Sequence, residues 1–390
     1  MTQTMERAKS GLARARRCRW ADVGRSAHSE AATAGREAAR AALGGRNDAG
    51  LLLVFASGAY DLPALAAAIG EVAGEVPVVG CSSTGEIDAG GPRTGSVVVL
   101  ALGGEGFTFS VTAVTSPDPR DAGARAAACA GDVAGSEHQV LLLLTDGASA
   151  GHADTVRGAY SVTGAGIPLV GGVAGHPVFE DSGTAVIYGA SVLQGAVVGI
   201  AIGSDAPLGI GVRHGWRPVG EPMLVTQAEP GRVVELDGRP AAAVYRERAG
   251  ADADVLGHPL GLQRRIGEAH IRMVTLDDAA DGSIGAAVPA GSLVWLMESE
   301  PETVIAASGA AAREAIDALG PDEEPHALVL FGCAARYLFL GDEAASAEIA
   351  RVADLVGGAT VAGLYTHGEI ARTRGTMGFH NQTLVVLAIA

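Results

Sequence analysis

A unit of strand, helix, glycine turn and strand occurs three times in this chain, and no other feature restricts its fold as strongly. In the first copy the apolar run 51–57 (LLLVFAS) leads into a helical pattern over 61–73. PVVGCSSTGEI (77–87) follows, then the strand GSVVVLAL and, after GGEG, the strand FTFSVTAV. The second copy has VLLLLT (140–145), a helix near 151–161, IPLVGGVAGHPVF (167–179) and strands around 185–202. The third has ALVLFGCAAR (327–336), a helix near 343–355, TVAGLYTHGEI (360–370) and QTLVVLAIA (382–390). Short β-branched runs broken by glycine pairs read as hairpin-linked strands. The expected fold is therefore α/β, with mixed parallel and antiparallel sheets built from repeated strand-helix-strand-strand units. Ligands on such sheets sit where strands end in loops, which makes the glycine turns the expected working surface.

At 390 residues the chain exceeds what one hydrophobic core usually serves, so two domains are expected. The stretch from about 206 to 300 reads as a β-rich insertion before the third copy. In it MLVTQ (223–227) and RVVELDG (232–238) are expected as strands, and Arg239 to Arg248 as a helix. IRMVTL and SLVWLMES are expected to pair around Gly282 to Gly291. Gly209 to Gly220, holding Trp216 and Pro218, is the candidate linker. The resulting division is a basic disordered tail over 1–19, a first domain over 20–211 and a second over 212–390.

Charge and cysteine usage exclude several function classes. Net charge is -16, although residues 1–46 carry ten Arg or Lys against four Asp or Glu. An acidic body repels phosphate backbones, which argues against nucleic-acid binding. The basic start runs into Ser, Gly and more arginine rather than an apolar segment, so no secretory signal is read and a cytoplasmic location is expected. Ser182 to Ser204 is uncharged, but its five glycines and β-branched residues favour buried strands over a membrane span. Cys18, Cys81, Cys129 and Cys333 are scattered, without CxxC pairs or histidines at ligand spacing. Neither a disulfide framework, nor a metal site, nor a cofactor is expected.

The candidate site lies in the glycine turns. Copies one and three share G-x-x-[ST]-x-G-E-I, at Gly80 to Ile87 and Gly363 to Ile370, whereas the second has Gly171, Gly172, Gly175 and His176 but no carboxylate. Amides and hydroxyls of Cys81, Ser82, Ser83 and Thr84 could converge on an anion or amide in a nest-like turn, or simply form a tight turn. Tyr365, Thr366 and His367 occupy the matching place in copy three. Glu86 and Glu369 are equivalent, and either could accept hydrogen bonds from a ligand ammonium or cap local amides. Arg336, following the strand that ends at Cys333, could hold a carboxylate by a two-pronged contact, or pair with Glu369. Together Arg336 and Glu369 would suit an amino-acid zwitterion. Cys81 and Cys333 with His367 or His380 raise a nucleophile, which would need a lowered thiol pKa and a base in reach; a small core residue is the commoner role for a cysteine. Asn381, beside His380, could orient an amide, and His152 and His176 flank the second copy's turns.

These residues resemble a known family, the FIST domain proteins, which pair an N-terminal with a C-terminal FIST region. LLLVFAS, PVVGCSSTGEI and PLVGGVAG are similar to the first region. VVELDGRPAAAVY (233–245), LVLFGCAAR (328–336), GLYTHGEI (363–370) and FHNQTLVVLAI (379–389) are similar to the second. The resemblance runs from about Trp20 to Ala390. It implies a sensory or scaffolding module that binds small ligands such as amino acids, often attached to signalling output domains in bacteria, with similar regions in F-box proteins of eukaryotes. No kinase, cyclase, chemoreceptor or F-box region is recognisable, so the expected function is a non-enzymatic ligand sensor acting through a signalling protein partner. A protein-binding adaptor is the first alternative and a cysteine-dependent hydrolase or transferase the second.

Overall fold

The computed structural model describes residues 19–177, 183–263, 269–276, 281–372 and 378–390. Three six-stranded sheets are built to one plan. Each runs, in spatial order, through a flanking strand, a return strand, a leading strand and a crossing strand, and ends in a two-stranded hairpin that belongs to a different repeat. In the first sheet these are Trp20–Ser26, Val97–Gly103, Ala49–Ser57 and Val78–Ser83, followed by Val186–Tyr188 and Ser191–Leu193 of the second repeat. In the second they are Phe107–Thr115, Ala196–Ser204, His138–Thr145 and Leu169–Val173, followed by Glu369–Arg372 and Phe379–His380 of the third. In the third they are Leu208–Arg213, Leu384–Ile389, Ala327–Cys333 and Thr360–Thr366, followed by Gly85–Asp88 and Gly91–Arg93 of the first. Leading and crossing strands are parallel, and the remaining pairings are antiparallel. The exchange is thus cyclic.

The runs LLLVFAS, VLLLLT and ALVLFGC lack period-two alternation because both faces of these central strands are covered. The three inner faces meet in one continuous core containing Phe55, Leu100, Leu142, Ile200, Phe331 and Leu387. Phe55 and Phe331 meet edge to face across it, with ring centroids 6.4 Å apart. The outer faces carry helix pairs: Ala31–Leu43 with Leu62–Ala73, Pro119–Ala126 with His152–Thr163, and Pro301–Asp317 with Ala334–Ala353. Local sequence starts and stops these helices. Asp61 caps Ala64 N ahead of Pro63 in the first turn, and the Gly74 amide closes the other end on Gly70 O.

The first glycine of the repeated motif has a steric cause. A Cβ on Gly80 would lie 1.9 Å from Val54 O, one on Gly171 1.9 Å from Leu143 O, and one on Gly363 2.2 Å from Leu330 O. Crossing and leading strands approach too closely there for any side chain.

Several expectations change. FTFSVTAV is the flanking strand of the second sheet, not the last strand of the first unit. Gly209 to Gly220 is no linker: Leu208–Arg213 pairs with Leu384–Ile389, and Arg217–Glu229 begins the next sheet. The insertion consequently lies inside the third repeat, between its flanking strand and its first helix. It forms a separate seven-stranded sheet, with helix Ala241–Ala249 against it. IRMVTL and SLVWLMES do not pair directly, because Leu260–Leu262 lies between His270–Arg272 and Leu293–Glu298. The last helix is longer than expected, Ala334–Ala353, and breaks at Gly341, whose φ is 70°. Arg19, assigned to the tail, is buried: it donates to Ser204 Oγ and Ala390 O at 2.9 and 2.7 Å and pairs with Asp205. Residues 1–18, with Cys18, lie outside the described residues. Residues 183–204 form strands, and no described helix is long and apolar enough to cross a membrane.

Candidate functional site

The leading and crossing strands of all three sheets run parallel, and the three crossovers between sheets follow their carboxyl ends. There the three repeats are tied by a ring of backbone hydrogen bonds. Thr84 N donates to Tyr365 O (3.1 Å), His367 N to Val173 O (3.1 Å), and Gly175 N to Ser82 O (3.0 Å). Thr84, Gly175 and His367 are therefore structural equivalents. Glycine at 175 leaves room for the other two, since a Cβ there would stand 2.5 Å from Thr84 Oγ1 and 3.3 Å from the His367 ring.

A carboxylate locks each crossover. Glu86 accepts from Ser83 Oγ, from Ser96 N at 3.1 Å and from Ser96 Oγ at 2.6 Å. Glu369 accepts from Thr366 Oγ1 at 2.9 Å and Thr383 N at 3.1 Å. The second repeat has its own version, missed in the sequence because it comes from a different place. Asp146, just past the leading strand, accepts from Thr184 Oγ1 and Gly195 N. Each carboxylate joins a hydroxyl near the crossover to the amide that opens the return strand. All three are buried. Burial pushes Glu86 up to about 7 and Glu369 up to about 8, against the hydrogen bonds that favour their ions. These contacts make Glu86 and Glu369 caps of local structure.

Arg336 is not available to a ligand. It is fully buried, with Nε donating to Glu348 at 2.7 Å, Nη1 to His214 O at 2.6 Å, and Nη2 to Val304 O and Ser308 Oγ at 2.7 and 2.6 Å. Its partner is Glu348, not Glu369, which removes the zwitterion clamp expected from the sequence. Cys81 and Cys333 are buried, and burial pushes both thiols well above the ordinary range, with Asp146 and Glu369 adding to it. A thiolate nucleophile needs the opposite environment. His380 is buried with Nε2 on Ala371 O and its ring 5.0 Å from that of His270, so it and His367 hold different places. Asn381 is half-buried, and its main-chain carbonyl accepts from Thr383 Oγ1.

At the ring of crossovers His176 and His367 meet ring to edge, with centroids 4.8 Å apart, and His152 Nδ1 lies 3.2 Å from Thr145 Oγ1. Desolvation, followed by His176 and His152, lowers the pKa of His367, so its imidazole is held neutral. No group of three metal-binding side chains is found among the described residues.

Beside this ring opens a cleft of about 450 Å³ lined by all three repeats. Ser57, Ala59, Thr84, Thr94 and Gly95 come from the first, Pro177 from the second, and Tyr337, Leu338, Gly341 and Asp342 from the third. The hydroxyl of Thr84 is buried and lacks a hydrogen-bond partner among the described residues, as does that of Tyr365. Tyr365 stacks on Tyr337 with centroids 4.7 Å apart, and Tyr337 Oη donates to Asp342 at 2.5 Å. Of the expected site residues only Thr84 lines the cleft, and Tyr365 stands directly behind its wall. Tyr337 and Asp342 were missed: they reach the cleft through the break at Gly341, which carries no signal beyond one glycine in a helical pattern. A wider groove of about 860 Å³ lies between Leu208–Arg213 and helix Pro301–Asp317, away from the crossovers, with Arg213 and Glu314 paired at 2.5 Å on its wall.

Comparison with known proteins agrees with this architecture. Residues 50–239 match the FIST N domain and residues 241–372 the FIST C domain. No curated protein matches the chain. FIST domains are sensory domains of signal transduction and are generally non-catalytic. The two matched regions cover most of the polypeptide and follow one another in the expected order, and the chain belongs to the FIST family.

Proposed function

We propose that this protein is a small-molecule sensor whose ligand occupies the cleft at the carboxyl ends of the parallel strands and whose signal passes to a partner protein inside the cell. The observation that carries this reading is the Thr84 hydroxyl, a buried polar group without a partner among the described residues, belonging to a residue on the wall of a cavity shared by three repeats. Native structures pair such groups with protein or water, and a ligand oxygen or nitrogen would serve equally. A cleft of this size suits a molecule of amino-acid dimensions. Because its walls come from three repeats tied in a ring, an occupant would contact elements of each sheet and bias their arrangement. A thermal-shift screen with amino acids, amines and small carboxylates tests the reading. A binder raises the melting temperature by mass action, and Thr84→Val removes most of that rise. Equal responses from the wild type and the variant would place the ligand elsewhere.

One observation favours an adaptor role as a second reading. Leu224 and Leu293 are register partners on the inserted sheet, 40% and 42% exposed. An exposed apolar cross-strand pair suits a protein contact. Copurification from the native host with the double variant Leu224→Asp/Leu293→Asp tests it: a stoichiometric partner retained by the variant would exclude this face.

A further inference from the structure

We propose that the cleft selects an organic cation, a protonated amine, over an anion or a zwitterion. The inference rests on the ligand site proposed above and names the chemistry it recognises. Among the described lining residues, Asp342 and the phenol of Tyr337 are the only ionisable groups, and Asp342 is exposed. Its Oδ1 already accepts from Tyr337 Oη. That contact fixes the carboxylate beside the aromatic ring, whose plane lies 30° from that of Tyr365. A ring next to a carboxylate is a favourable seat for an ammonium group, through the ring quadrupole and the ion pair together. Thr84 Oγ1, which has no partner among the described residues, supplies a third acceptor.

What surrounds the cavity removes the alternative. Among the described residues no arginine or lysine lines it. Arg93, next to the lining residue Thr94, is held by Asp88 at 3.3 Å. Arg336, next to Tyr337, turns inward to Glu348 and two carbonyls. A ligand carboxylate would therefore face Asp342 without a compensating charge, in a chain of net charge -16. An amine is expected to bind better than the amino acid from which removal of the carboxylate would give it.

Calorimetric titration with two matched pairs, isobutylamine against valine and phenethylamine against phenylalanine, tests this on the full chain. The expected result is that each amine binds about tenfold or more tightly than its amino acid, the size of one charge-assisted hydrogen bond. Asp342→Asn, which keeps the acceptor for Tyr337, is expected to weaken the amine by about tenfold and to remove most of its salt dependence. Unchanged circular dichroism and melting of free Asp342→Asn would separate this loss from misfolding. If the amino acids bind as tightly as the amines, and Thr84→Val weakens both, the cleft is the ligand site but its selectivity for cations is overturned. If binding of either class is indifferent to Thr84→Val, the site itself is wrong and this inference falls with it.

Discussion

Thr84 N donates to Tyr365 O at 3.1 Å, and this bond joins the crossover of the first repeat to the crossing strand of the third. With its two equivalents it closes a ring in which every repeat is bonded to both others. Side chains around that ring are consequently set by three parts of the chain at once.

Removing a crossover carboxylate should be costly. Glu86→Ala leaves Ser83 Oγ, Ser96 N and Ser96 Oγ without their acceptor in a fully buried place. Each unsatisfied buried group costs about 1–3 kcal/mol, so with three of them a loss of about 3 kcal/mol or more is expected in urea unfolding. A loss under about 0.5 kcal/mol would mean that Glu86 does not lock the crossover.

The same carboxylates give stability a pH dependence. Glu86 and Glu369 titrate at about 7 and about 8 in the folded chain, above the ordinary 4.5. Both are raised, so the folded state holds these protons more tightly than the unfolded state. Their contribution is full below the unfolded value and declines as pH rises to about 8, where it levels off. Glu86→Gln, which cannot ionise, should lose less stability than wild type between about pH 5 and pH 8. Parallel profiles for the two proteins would show that Glu86 does not carry the slope.

Arg336→Ala should unfold the protein more readily without touching ligand selectivity. It leaves Glu348 buried without its countercharge, an effect of about 3–5 kcal/mol. At a temperature where the variant is still folded, the ligand dissociation constant should match wild type within about twofold. A specific loss of carboxylate or amino-acid binding would restore Arg336 as a ligand contact.

Gly175→Ala tests the ring directly. The added Cβ would meet Thr84 Oγ1 at 2.5 Å and Thr84 N at 2.8 Å, and the second of these is backbone that cannot rotate away. A destabilisation of about 1–3 kcal/mol is expected, and Thr84→Ala should relieve only part of it, as a double-mutant cycle would show.

How much of this the sequence disclosed depends on whether a feature was local. The unit of leading strand, helix and crossing strand was legible in all three copies, because its signals lie within about 40 residues of one another. Gly80 and Gly363 stood out for the same reason, and a close approach of backbones is what they mark. The exchange of hairpins was not legible. The run GEID has the same period whether it pairs within its own sheet or with Thr360–Thr366. Asp146 escaped because the second repeat takes its carboxylate from the turn after VLLLLT and not from the crossover. Arg336 was misread because an arginine after a strand looks alike whether it faces solvent or a buried Glu348. Tyr337 and Asp342 depend on the break at Gly341, and the cleft they line exists only once three distant segments meet.

Hydrogen–deuterium exchange on the full chain, with and without a stabilising small molecule, tests the central claim most directly. Occupation of the cleft predicts slower exchange in three segments together, 57–60, 84–96 and 337–343, with no change along 208–213 and 310–318. Protection confined to 208–213 and 310–318, or its absence from 84–96, would contradict the account.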